Sequence, residues 1–80
     1  MFKIIVYVDG MEATRFVGND LYDLVLKLNI YKIKNCAFTH AFMLLQNDKQ
    51  STDAIWREYH DILYKLIPVA RKIVAMGEDF

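Results

Sequence analysis

Cysteine, proline and glycine are scarce in this chain of 80 residues, which holds one, one and three of them. With Cys36 alone, no intramolecular disulfide can form. The fold must stand on its core, and a reducing cytoplasm is the expected setting. Gly10, Gly18 and Gly77 lie too far apart to build a phosphate-cradling loop. No Pro/Gly-rich linker, repeat or low-complexity tract divides the chain, so residues 1–80 read as a single compact domain. No apolar run approaches the ~20 residues a bilayer span needs. No charged leader with a cleavage site precedes the first strand pattern, and the chain reads as a complete small open reading frame. Charge of one sign is missing too. Ten basic and ten acidic side chains cancel, so nothing draws the whole molecule to nucleic acid or to an anionic membrane.

What the chain has in quantity is apolar surface. Apolar and aromatic residues make up 55 % of it, although a domain this small buries only about 60 % of its unfolded surface. The surplus predicts an apolar patch that serves a protein partner or a homodimer.

Most of the pattern lies between Thr52 and Met76. At 3.6 residues per turn, Ile55, Tyr59, Ile62, Leu66, Val69, Ala70 and Ile73 stack along one side. Trp56, Leu63, Ile67 and Val74 widen that side, while Arg57, Asp61, Tyr64, Lys65 and Lys72 oppose it. Ser51, Thr52 and Asp53 offer caps at the start, and Gly77 offers a stop. The spacing predicts a long amphipathic helix. Pro68 removes one N–H from its middle but projects with the polar side, so a kink is expected. The alternative is a break near Ile67, with Pro68 opening a second helix.

Phe2–Val8 and Met11–Val17 read as strands joined at Asp9-Gly10, a type I′ hairpin signal. Uninterrupted pairing would place Val6–Ala13, Ile4–Arg15 and Phe2–Val17 on the face toward the helices. Tyr7–Glu12, Ile5–Thr14 and Lys3–Phe16 would share the other. Gly18-Asn19-Asp20 opens a helix at about Leu21 whose stripe is Leu21, Leu24, Val25, Leu28 and Tyr31. That helix ends either at Asn29, leaving Tyr31–Lys34 as a short strand, or at Asn35. Cys36–Asn47 fits both periods; its Ala, Met, Leu and Gln favour a helix. Residues 47–50 then form a polar loop. The fold class is α+β, an N-terminal β-hairpin packed on two or three helices with a long kinked C-terminal helix. The alternative is ββαβα, with residues 36–46 as a third strand.

No constellation points to chemistry. Cys36 and His40 stand four apart, which on a helix would set thiol beside imidazole. Their apolar neighbours Ala37, Phe38, Ala41 and Phe42 instead make Cys36 a small core hydrophobe. His60 is the only other His or Cys, too few for a zinc set, so neither metal nor cofactor is expected. His60-Asp61 are adjacent on a helix and point about 100° apart. Ser51 is a capping residue. An enzyme is not expected.

Two surfaces carry binding character. Arg57, His60, Tyr64 and Arg71 share the outward side of the long helix, and Tyr and Arg are enriched at interface anchors. Lys27, Tyr31, Lys32 and Lys34 could form a basic-aromatic patch for nucleic acid. The expectation is a small non-enzymatic protein-binding modulator acting through the first surface. By analogy of size, that means an inhibitor of a host or defence protein of the kind phages encode. The alternative is a small nucleic-acid-associated regulator acting through the second.

Overall fold

A computed structural model describes residues 1–37 and 39–77. The elements run β1 (Phe2–Val8), β2 (Met11–Gly18), α1 (Leu21–Asn35), β3 (Ala41–Gln46), β4 (Lys49–Gln50) and α2 (Asp53–Ala75). The strands form one antiparallel sheet in the order β2-β1-β3-β4. Both helices pack on one face of it, giving an α+β fold of two layers.

The first hairpin turns at Asp9-Gly10, both with positive φ (51° and 79°). Its register is not the uninterrupted one. Tyr7 pairs with Glu12, but Val6 pairs with Thr14, so Ala13 is left over in a bulge. Beyond the bulge, every β2 side chain changes face relative to expectation. Phe16 pairs with Ile4 under the helices, and Arg15 pairs with Ile5 on the far face. The exchange puts an aromatic ring into the core and a guanidinium into water. It also brings Arg15 onto the same side as Glu12, to which it is ion-paired.

The helix expected over Cys36–Asn47 does not form. Cys36 takes a left-handed conformation (φ 51°, ψ 42°) and its N–H bonds back to the Lys32 carbonyl, ending α1. Ala41–Gln46 then pairs with the open edge of β1. The physical reason is the sheet. A two-stranded hairpin is marginal, and a third strand satisfies the bare side of β1 while alternation turns Phe42 and Leu44 inward. The ββαβα alternative comes nearer, with its third strand confined to residues 41–46, but the order that forms is ββαββα. Residues 47–50 are not merely a loop. Asn47 and Asp48 both take positive φ (51° and 62°), and Lys49–Gln50 pairs back on β3 as a second, shorter hairpin. The Met1 ammonium donates to Asn47 Oδ1 at 2.9 Å and Lys3 meets Asp48 at 3.1 Å, which ties that turn to the start of β1.

Helix α1 continues through Tyr31–Lys34 to Asn35, with Asp20 capping its start by accepting from the Tyr22 N–H. It is buried on several sides because it lies on β1 and β2 and against α2. Ile4, Val6, Leu24, Val25, Leu28, Leu44, Tyr59, Leu66 and Ala70 form the closed core. Helix α2 reaches the sheet through large rings: Phe42 stands 5.8 Å from Trp56 and 5.5 Å from Tyr59 between centroids. It passes through Pro68 as one uninterrupted helix, so the second-helix alternative is not what forms. Among the described residues, no helix is long and apolar enough to cross a membrane.

Candidate functional site

Thr52 caps α2, its hydroxyl accepting from the Ile55 N–H at 3.4 Å, with Asp53 in the first turn and Lys72 in the last. Ser51 has a different task from the expected cap: its hydroxyl and its N–H both donate to the Leu44 carbonyl of β3. After Met76, Gly77 takes φ 75°.

Only Tyr59, Leu66 and Ala70 of α2 are fully buried. At 100° per residue these three fall within an arc of about 40°. Trp56, Leu63, Ile67 and Val74 flank that arc on one side and are half-buried. Beyond them on the same side come His60, Arg71, Tyr64 and Arg57, all exposed, within a further arc of about 60°. The four residues singled out for partner binding therefore make one continuous strip beside a row of unfinished apolar burial. Tyr64 is 75 % exposed at the centre of that strip. Its carbonyl is the one deprived of a helical donor by Pro68. The His60 ring lies 5.2 Å from Tyr59 and 6.3 Å from Trp56, which carries the aromatic core out to the surface.

The second set is divided. Lys27 pairs with Asp23 at 3.0 Å, and Tyr31 meets Phe16 edge-on at 6.1 Å. Lys27, Tyr31 and Lys34 lie on one side of α1, whereas Lys32 falls about 140° away from Lys27. Lys32 in fact shares the buried stripe of Leu21, Val25 and Leu28. Its Nζ lies 4.7 Å over the Phe42 ring, and burial lowers its pKa.

Lys32 and Arg71, taken from the two different surfaces, meet at one cleft. It lies between α1 and α2, has a volume of 310 Å³, and is lined by Asn29, Lys32, Ile33, Leu63, Ile67 and Arg71. Asn29 is 7 % exposed and its amide nitrogen has no hydrogen-bond partner among the described residues. Two features of the sequence mark this cleft: a lysine in a core stripe and an asparagine beside it.

Cys36 and His40 are not on a common helix. Cys36 is the exposed cap of α1, not a packed hydrophobe, and His40 precedes β3 with its Nδ1 buried and unpartnered among the described residues. Phe38, expected beside them, lies outside the described residues. Among the described residues, no three His, Cys, Asp or Glu side chains gather as a metal set.

No family model matches the chain, and comparison with curated proteins and with solved structures returns no match.

Proposed function

We propose that this chain is a non-enzymatic protein-binding modulator that docks through the exposed flank of α2. The supporting observation is the strip Arg57, His60, Tyr64 and Arg71 running beside half-buried Trp56, Leu63 and Ile67. Tyr gives up little conformational freedom for the area it buries, and Arg adds a planar set of donors. Apolar side chains already half out of water complete their burial when a partner covers them. The Tyr64 carbonyl, to which Pro68 cannot donate, adds an acceptor at the centre of the strip. A helix presenting such a face suits occlusion of a groove on a larger cytoplasmic protein, and hence inhibition. The nucleic-acid reading has less to support it, since Lys27 is paired with Asp23 and Lys32 is drawn over Phe42.

The test is affinity capture from lysate on the immobilised chain, with and without nuclease. One stoichiometric protein that survives nuclease and is lost with Arg57→Ala/Tyr64→Ala is the expected result. Nuclease-sensitive capture that survives this double substitution would overturn the proposal.

A further inference from the structure

We infer that the cleft between α1 and α2 is a binding site for a free aliphatic carboxylate. This goes beyond docking on the outer strip and does not depend on it.

Three properties of the cleft converge. Its walls are apolar, from Ile33 on α1 and Leu63 and Ile67 on α2, and its 310 Å³ sits at the small end of ligand sites. Such a volume suits a short or medium alkyl chain. Both charges at the cleft are positive. Lys32 and Arg71 line it, no carboxylate does, and neither cation forms an ion pair with a described residue. The third property is the Asn29 amide, more than nine-tenths buried, with its nitrogen unpartnered among the described residues. A native core seldom holds a buried donor with nothing to bond, so this one calls for an occupant of the cleft, whether water, ion or ligand, to accept from it. An alkyl chain between Ile33, Leu63 and Ile67, with its carboxylate toward Lys32 and Arg71, gives the two cations a shared anionic partner. The partial burial that lowers the Lys32 pKa strengthens an ion pair made there.

A free ligand fits better than a protein terminus. All six lining residues lie within helices, where main-chain groups bond along the helix. The cleft therefore offers side-chain donors for a carboxylate but no strand edge to receive a peptide backbone.

The experiment is an NMR titration of the isolated, isotope-labelled chain with octanoate, octylammonium, octanol and a short peptide ending in leucine. Saturable shifts at Ile33, Leu63 and Ile67 with octanoate, at least about tenfold tighter than with octylammonium or octanol, are expected. Arg71→Glu, at an exposed position, should weaken octanoate about tenfold. Lys32→Met, which keeps an unbranched chain of similar length in the stripe but removes the charge, should weaken it about fivefold. Backbone spectra of both variants establish that they fold. No saturation by about 10 mM octanoate, equal binding of octanol or octylammonium, or indifference to both variants in their folded form would overturn the inference. Tighter binding of the peptide would also overturn it, in favour of a protein C-terminus. Because no protein partner enters this titration, its failure is separate from any failure of the α2 docking face.

Discussion

Replacing Asn29 by leucine should make this protein more stable. The two side chains branch alike at Cγ, so leucine fits the same space without forcing its neighbours. In the native chain the Asn29 amide nitrogen is buried and unpartnered among the described residues. Leaving such a donor unsatisfied costs about 1–3 kcal/mol. Leucine removes that cost, and its better helix propensity adds a few tenths of a kcal/mol at this mid-helix position. The expected gain is about 1–2 kcal/mol, which for a domain of this size raises Tm by roughly 5–10 °C. Asn29→Asp should do the opposite, since it places a charge where the amide was. Urea titration followed by circular dichroism measures both variants. If Asn29→Leu loses about 1 kcal/mol or more, the amide has a partner and the reasoning fails. If it gains stability and octanoate binding weakens in the same protein, a destabilising polar group is held at the cleft for a ligand, the usual exchange of stability for function.

Cys36→Gly should raise stability by about 0.5–1 kcal/mol, because the αL conformation at the α1 cap strains a residue with a Cβ and suits glycine; thermal unfolding under reducing conditions checks it, and a lower Tm would contradict the cap geometry. Tyr59 is 2 % exposed, and burial pushes its hydroxyl from 10.0 up to about 12. The folded chain therefore keeps a proton that the unfolded chain gives up. Stability from this group is intact below pH 10 and falls as pH rises toward 12. The slope approaches about 1.4 kcal/mol per pH unit, and Tyr59→Phe should flatten it; an unchanged alkaline slope would show that other groups carry the decline. Among the described residues no element covers the far sheet face or pairs with the outer edge of β2, which leaves room for self-association. Sedimentation equilibrium at micromolar concentration should reveal dimer, and a clean monomer would remove the homodimer while leaving a protein partner in place.

Most of the helical architecture was legible because helices advertise themselves locally. Residues 52–76 keep one apolar phase over more than six turns, and Thr52, Asp53 and Gly77 punctuate it where the structure begins and ends it. Asp9-Gly10 was legible for the same reason: the turn is set by two residues. The fate of 36–47 was not, because a run of apolar residues satisfies both periods and the deciding interaction, the bare edge of β1, is more than thirty residues away. The Ala13 bulge was hidden likewise. Nothing local distinguishes Ala13 as unpaired, and only burial of Phe16 over Arg15 selects the shifted register. At the site, the α2 strip follows from helical spacing alone. The cleft needed the relative placement of α1 and α2, although Lys32 in the stripe of Leu21, Val25 and Leu28 was a visible anomaly.

Seating of a partner protein on the outer flank of α2, as proposed, is tested most directly by the binding of paired variants. Arg57→Ala/Tyr64→Ala and Lys27→Glu/Lys34→Glu are each confirmed to melt as the parent does, then titrated against the captured partner by calorimetry at two salt concentrations. A desolvated Tyr or Arg anchor is worth ~2 kcal/mol or more, so the helix pair should weaken binding at least about thirtyfold. The lysine pair should stay within a few-fold of the parent, with little change between the salts. Full retention of binding by the helix pair, with collapse of the lysine pair and a steep salt dependence, would contradict the account and favour a nucleic-acid ligand.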